Sequence, residues 1–257
     1  MSNATGRFVW HDLMTTDTEG AKKFYSEVAG WGTQEWQGGN PYTMWTNNGV
    51  PFGGMVALDE EMLKNKVPPH WLPSVGVDNV DDSLAKAIQL GATTVAPAMD
   101  IPGTGRYAIF EDPQGAMIAI YASEGDMQPS PEGQSKNGDF SWHELTTSDH
   151  VAAFDFYSKL FGWVKNGEFD MGPMGMYLMY GQGETMYGGM LTRTPDMPPP
   201  MWLCYIKVSD VKDSAKTIAR LGGTVMQQPM EVPGGDWIAV ASDPQGAMTA
   251  IQSGKPQ

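Results

Sequence analysis

The sequence WHDLMTTDTEGAKKFYSEVAGW, residues 10–31, occurs a second time as WHELTTSDHVAAFDFYSKLFGW, residues 142–163. The two stretches align without a gap. Each begins with a strand-like run, reaches an aspartate that can cap a helix (Asp17 or Asp149), and continues with apolar residues at helical spacing. Further pairs follow in the same order, PFGGM with MYGGM and EDPQGAMIAI with SDPQGAMTAI. The chain therefore contains a duplicated domain.

Each copy divides again into two units of one strand, one helix and three strands. The second helix of the first copy, DDSLAKAIQLG, ends at Gly91. We predict an α+β fold of four βαβββ modules, in which each half forms a curved mixed sheet shaped as a cup, with the helices outside. The predicted domains are residues 1–123 and 139–257. Residues 124–138 are polar and rich in Pro, Gly and Ser, which is typical of a linker.

The composition excludes several classes of function. The chain has 257 residues, with 16 Lys and Arg against 30 Asp and Glu, and its net charge of −14 repels nucleic acid and anionic membranes. No apolar run approaches the roughly 20 residues that span a bilayer, and no secretory signal pattern is present. The one cysteine, Cys204, allows no intramolecular disulfide and fits a reducing compartment. We therefore expect a cytoplasmic protein that binds neither nucleic acid nor membranes.

The helix motifs KKFYSEVAGW and FDFYSKLFGW and the two DPQGA turns resemble those of the vicinal oxygen chelate superfamily. This superfamily contains glyoxalase I, extradiol dioxygenases, fosfomycin-resistance enzymes and bleomycin-resistance proteins. The resemblance covers nearly the whole chain outside the linker and is strongest to two-domain glyoxalase-like proteins. It implies the fold described above. It does not fix the function, because one fold hosts many activities.

The resemblance also implies where metal ligands would stand: a His on the first strand of a sheet, a His or Glu on the fifth, and a Glu on the eighth. Counting from the motifs places these positions on Trp10, Leu72 and Ala119 in the first half and on Trp142, Leu203 and Ala250 in the second. A divalent ion needs about three protein ligands. We therefore expect no metal and no other cofactor.

The histidines His11 and His143 each lie one residue beyond the implied ligand position. Because side chains alternate along a strand, we expect them to face the helix layer rather than the cup. A β-bulge in the first strand would return them to the cup.

The same alternation predicts which side chains face the cups. A buried carboxylate must be paired, protonated or bound to a ligand, so Asp12 and Glu144 are the candidate acid/base residues. The candidate substrate-binding residues are Trp10, Asp12, Tyr121, Trp142, Glu144, Tyr205 and Lys207. The alternative is structural: each carboxylate bonds a backbone group or lies at a wet rim, and Glu144 forms an ion pair with Lys207.

Two functions fit these features. One is a protein that binds a small, partly apolar organic molecule in aromatic, Met-rich cups without a metal, as bleomycin-resistance proteins bind and hold their ligand. The other is an enzyme of the glyoxalase or dioxygenase type, with Asp12 or Glu144 as general acid or base or with displaced metal ligands. The acidic chain favours neutral or cationic ligands. The duplication indicates a pseudo-dimer within one chain, which leaves a monomer or a homodimer open.

Overall fold

A computed structural model describes residues 4–38, 42–125 and 135–254. The elements follow the predicted order of one strand, one helix and three strands, four times over, with one additional short helix, α2. The first half of the chain contains β1 (Phe8–Thr15), α1 (Thr18–Ala29), β2 (Gly32–Glu35), β3 (Thr43–Asn47), β4 (Val50–Ala57), α2 (Glu60–Lys64), β5 (His70–Gly76), α3 (Val80–Gln89), β6 (Thr93–Ile101), β7 (Gly105–Glu111) and β8 (Met117–Ser123).

The second half repeats this order, with a short 3-10 helix at Gly172–Met174. Its elements are β9 (Phe140–Thr147), α4 (His150–Phe161), β10 (Val164–Asp170), β11 (Met176–Gln182), β12 (Thr185–Thr192), β13 (Met201–Lys207), α5 (Val211–Arg220), β14 (Thr224–Glu231), β15 (Trp237–Ser242) and β16 (Met248–Ser253).

The strands of each half form one open eight-stranded sheet. The strand orders are β2-β3-β4-β1-β5-β8-β7-β6 and β10-β11-β12-β9-β13-β16-β15-β14. Both sheets are mixed: β1 and β4, like β9 and β12, are parallel, whereas the hairpin neighbours are antiparallel. The predicted α+β fold of four βαβββ modules is therefore confirmed. None of the helices in the described part of the chain, of which the longest have 12 residues, is long and apolar enough to cross a membrane.

Contacts group the chain into two compact units, each of which combines modules from both halves. Unit 1 takes the described residues of 1–10, 72–134 and 142–202, and unit 2 takes those of 11–71, 135–141 and 203–257. The predicted domains 1–123 and 139–257 are sequence repeats, and their boundary stays a prediction. Most of the predicted linker, residues 126–134, lies outside the described residues.

The repeated helices begin at the two aspartates that the sequence predicts as caps. The side chains of Asp17 and Asp149 accept hydrogen bonds from backbone N–H groups in the first turn of α1 and α4. Both helices end at a glycine in the left-handed region, Gly30 with φ 74° and Gly162 with φ 76°. Glycine adopts this conformation without the steric cost of a Cβ atom, which accounts for the Gly-Trp that closes the motif in both copies.

The tyrosine of each FY pair binds the aspartate of a DPQG turn. In unit 1, the Tyr157 hydroxyl donates to Asp112 Oδ2 at 2.9 Å, and Asp112 Oδ1 accepts from the backbone N–H groups of Gln114 and Ala116, both at 2.9 Å. Trp202 Nε1 donates to the Tyr157 hydroxyl at 3.2 Å. Asp112 is only 3 % exposed, and this burial raises the pKa of its carboxyl group. The family motifs therefore meet in the core of the unit.

Unit 2 repeats this arrangement with its own residues. The Tyr25 hydroxyl donates to Asp243 Oδ2 at 3.2 Å and accepts from Trp71 Nε1 at 3.0 Å. Burial raises the pKa of Asp243 as well. In both units the helix and the turn that it binds come from different halves of the chain.

Candidate functional site

Burial alternates from residue 10 to residue 13 of the first strand. In β1, Trp10 and Asp12 are half-buried, whereas His11 and Leu13 are 5 % and 0 % exposed. Leu13 packs in the same core as the α1 side chains of unit 2, so its face of the strand is covered by the helix layer. The carboxylate of Asp12 therefore lies on the opposite face.

The strand β9 shows the same alternation. Trp142 and Glu144 are half-buried, and His143 and Leu145 are 6 % and 0 % exposed, with Leu145 in the core of unit 1. We name the side of β9–β12 that carries Glu144 the Glu144 face, and the side of β1–β4 that carries Asp12 the Asp12 face.

A chain of hydrogen bonds holds the carboxylate on the Glu144 face. The Tyr177 hydroxyl, which lies on β11, donates to Glu144 Oε2 at 2.8 Å. Trp142 Nε1 donates to the same hydroxyl at 2.8 Å. The tyrosine crosses the intervening strand β12 above Gly189, which pairs with Glu144 in the sheet. A Cβ atom at Gly189 would overlap the Tyr177 ring, so glycine is what lets the tyrosine reach the acid.

The Asp12 face has an equivalent arrangement. The Tyr42 hydroxyl donates to Asp12 Oδ1 in a short hydrogen bond. Gly54 pairs with Asp12 in the sheet, and a Cβ atom there would overlap the Tyr42 side chain. Met44 pairs with Gly54, as Met179 pairs with Gly189 on the other face. Both halves therefore carry the same three-residue arrangement: an acid, a tyrosine that donates to it, and a glycine between them.

The two histidines pack against aromatic rings. The His143 ring stacks on Phe8 with centroids 3.7 Å apart and planes 3° apart, and His11 stacks on Phe140 at 3.9 Å. Burial lowers the pKa of His143 to about 3, so its imidazole is neutral at physiological pH. The strand register runs without a shift from His11 to Thr15 and from residue 143 to 147, so these stretches do not contain the bulge that would reverse the faces.

Tyr121 and Tyr205 are two other predicted site residues, and the structure shows the surroundings of each. In unit 1, the half-buried Tyr121 donates its hydroxyl hydrogen to the backbone carbonyl of Thr104 at 2.8 Å, and burial raises its pKa. In unit 2, Tyr205 is only 4 % exposed on β13.

Two further residues of β13 are Lys207, a predicted site residue, and Cys204. Lys207 is half-buried, and its backbone N–H and C=O pair with Asp139 and Gly138. Cys204 is fully buried, and burial raises the pKa of its thiol, so it stays protonated at physiological pH.

Sequence reasoning missed Tyr42 and Tyr177, which complete the two carboxylate sites. The sequence signal that could have revealed these contacts is the Gly-Gly pair in PFGGM and MYGGM, because a glycine inside a strand often marks the close approach of another group. The identity of that group depends on strand pairing, which the pattern of residues along one strand does not reveal.

Comparison with known proteins identifies the family. The family model of the Glyoxalase/Bleomycin resistance protein/Dioxygenase superfamily matches residues 7–120 and 140–251. A Mycobacterium bovis protein named "Putative glyoxylase CFP32" is 31 % identical over 253 residues, which cover 96 % of this chain and 95 % of that protein. The anthracycline biosynthesis protein DauV of a Streptomyces species is 27 % identical and covers 95 % of this chain and 92 % of its own.

A solved structure shares the same fold. The Mn(II)-bound glyoxalase from Novosphingobium aromaticivorans superposes with a TM-score of 0.65 at 16 % identity, over 97 % of this chain and 82 % of that one. The family model and the 31 % identical relative show that the chain belongs to the glyoxalase, bleomycin-resistance and dioxygenase superfamily, and the model matches it twice.

The residues at the ligand positions implied by metal-dependent members do not fit a divalent ion. Trp10 and Trp142 offer only an indole N–H, which is a donor and not a ligand. The other four positions hold buried apolar side chains, namely Leu72, Ala119, Leu203 and Ala250. We therefore derive no step of a mechanism through a metal at these positions.

Proposed function

We propose that this chain is a cytoplasmic protein that binds a small, partly apolar organic molecule at its carboxylate faces, without a divalent metal at the positions used by metal-dependent relatives. The observation that carries this proposal is the pair of Tyr177 and Glu144, with Trp142 beside them. A half-buried carboxylate that is fixed by a tyrosine and flanked by an indole is pre-organised for a ligand with a hydrogen-bond donor and an apolar body.

The duplication supports this proposal. Asp12 and Tyr42 repeat the same geometry, with a glycine in the same place. The name of the relative DauV connects the family to the biosynthesis of a small organic molecule. The aromatic and methionine side chains of the two faces offer apolar contacts to such a molecule.

Replacing Glu144 by glutamine is expected to weaken ligand binding about tenfold or more, because the change keeps the shape and removes the charge (about 1.5–3 kcal/mol for a hydrogen bond to a charged group). A thermal-shift screen of small organic molecules on the wild type identifies a ligand, and calorimetry then compares the variants. Glu168→Gln is the matched control, since Glu168 is an exposed β10 residue of the same unit that pairs with Lys165. Glu168→Gln is expected to leave the affinity for the ligand unchanged.

Asp12→Asn tests the second face in the same way. If the wild type binds a ligand and neither Glu144→Gln nor Asp12→Asn weakens it, both carboxylates are structural and the binding site lies elsewhere.

Protein purified without chelator is expected to contain far less than one tightly bound divalent ion per half, because the implied ligand positions offer Trp, Leu and Ala side chains. Elemental analysis of the purified protein, repeated after dialysis against EDTA, measures this. About one Zn, Ni, Fe or Mn ion per half that survives dialysis would contradict the proposal.

A second function is favoured by one detail, the hydroxyl of Tyr177 at hydrogen-bond distance from the carboxylate of Glu144. Such a pair can move a proton to or from a bound carbonyl compound, with the carboxylate as general base or acid. Mass spectrometry of the ligand after long incubation separates the two functions. A binding protein returns the ligand unchanged, and an enzyme returns a product whose formation Glu144→Gln abolishes.

A further inference from the structure

On the Glu144 face, the N–H of Trp142 and the O–H of Tyr177 are both donated to hydrogen bonds within the protein. An indole has one N–H and a phenol has one O–H. Trp142 gives its N–H to the oxygen of Tyr177, and Tyr177 gives its O–H to Glu144. What these three side chains present to a ligand is therefore a carboxylate and two aromatic π faces, all of which act as acceptors.

The tyrosine and the acid of the Asp12 face are arranged in the same way. The single O–H of Tyr42 is donated to Asp12, which leaves the tyrosine ring and the carboxylate as acceptors. A carboxylate beside aromatic faces favours a ligand group that donates hydrogen bonds and carries positive charge.

We propose that the Glu144 face recognises an organic ammonium: an amine, protonated at neutral pH, on an aromatic or aliphatic ring. This inference rests on the proposed function and adds the chemical class of its ligand. The ammonium group bonds the Glu144 carboxylate, and the ring lies against the Trp142 and Tyr177 side chains. Met179 pairs with Gly189 beside them and supplies a flexible apolar contact.

The charge of the whole chain acts in the same direction. With 16 basic and 30 acidic residues, the protein attracts cations from solution and repels anions. Raising the ionic strength screens this attraction, so the affinity for an ammonium ligand should fall with salt while the affinity for a neutral analogue stays constant.

The test uses three probes with one ring system: tryptamine, which is an ammonium; tryptophol, its neutral alcohol; and indole-3-acetate, an anion. Calorimetry at pH 7 measures each with the wild type, Glu144→Gln and the control Glu168→Gln. We expect the wild type to bind tryptamine about tenfold more tightly than tryptophol, with indole-3-acetate weakest. Glu144→Gln is expected to abolish the preference for tryptamine over tryptophol and to keep the binding of tryptophol, and Glu168→Gln to change neither.

The comparison of probes on the wild type needs no variant, so a folding defect in Glu144→Gln does not decide the result. If tryptophol binds in a Glu144-dependent way and tryptamine binds no tighter, the ammonium class is wrong and the proposed function stands. If tryptamine is preferred equally by the wild type and by Glu144→Gln, the inference is wrong for this face. If no probe binds at millimolar concentration, the inference is contradicted, whereas the proposed function is decided separately by the thermal-shift screen and the comparison of Glu144→Gln with Asp12→Asn.

Discussion

Replacing Asp112 by alanine is expected to lower the free energy of unfolding by about 3 kcal/mol, because three donors lose their acceptor in a buried site. These donors are the backbone N–H groups of Gln114 and Ala116 and the hydroxyl of Tyr157. For a chain of this size, a loss of 3 kcal/mol corresponds to a fall of about 6 °C or more in the melting temperature. Urea unfolding followed by circular dichroism measures it.

The control for this variant is Asp155→Ala, which removes an exposed carboxylate that pairs with Lys159 within α4. We expect that change to cost about 0.5 kcal/mol or less. If Asp112→Ala costs no more than Asp155→Ala, the bond between the turn and Tyr157 does not stabilise unit 1.

The pH dependence of the same group has a definite sign. Burial raises the pKa of Asp112 in the folded state above the usual value of 3.8. The folded state therefore binds the proton more tightly than the unfolded state, and the contribution of this carboxyl group to stability is complete below pH 3.8. It decreases as the pH rises through the raised pKa. The difference in unfolding free energy between the wild type and Asp112→Ala should accordingly be larger at low pH than at pH 7.

Replacing Gly189 by alanine is expected to reduce ligand affinity at least as much as Glu144→Gln. The new Cβ atom would overlap the Tyr177 ring, so the ring must move away and its hydroxyl must leave Glu144. The overpacking itself costs about 1–3 kcal/mol of stability. Urea unfolding and calorimetry with the ligand from the screen measure the two effects on the same preparations.

A double-mutant cycle tests whether the Tyr177 ring causes the loss of stability in Gly189→Ala. Tyr177→Ala removes the ring, so Gly189→Ala made in that background has nothing to displace and should cost far less stability than in the wild type. Additive costs would mean that the glycine is required by the strand backbone and not by the tyrosine. Tyr177→Phe keeps the ring and removes the hydroxyl, and it isolates the contribution of the hydrogen bond to ligand affinity.

Features that depend on local sequence were predictable. Asp17 and Gly30 bound α1 because capping needs only a side-chain acceptor before the helix and a left-handed residue after it. The faces of β1 followed from the two-residue period of a strand, with Leu13 fixing which side is buried. The family motifs completed the prediction, since they recur at matching positions in both halves.

Features that depend on pairing across the chain were not predictable. Tyr177 reaches Glu144 over a strand that lies between theirs, and residue spacing along either strand carries no information on that distance. The hydrogen-bond partner of Tyr157, which is Asp112, could not be predicted from the sequence either. The chain offers two identical DPQG turns, at Asp112 and Asp243, and nothing near Tyr157 in sequence distinguishes them.

The most direct test of the central claim is a crystal structure of the protein with the first ligand that the thermal-shift screen identifies. We predict ligand density on the Glu144 face, with a donor atom within hydrogen-bond distance of the Glu144 carboxylate and the apolar part against Trp142. Ligand density elsewhere in the molecule, with neither Glu144 nor Asp12 in contact with it, would contradict the claim that the carboxylate faces are the binding sites.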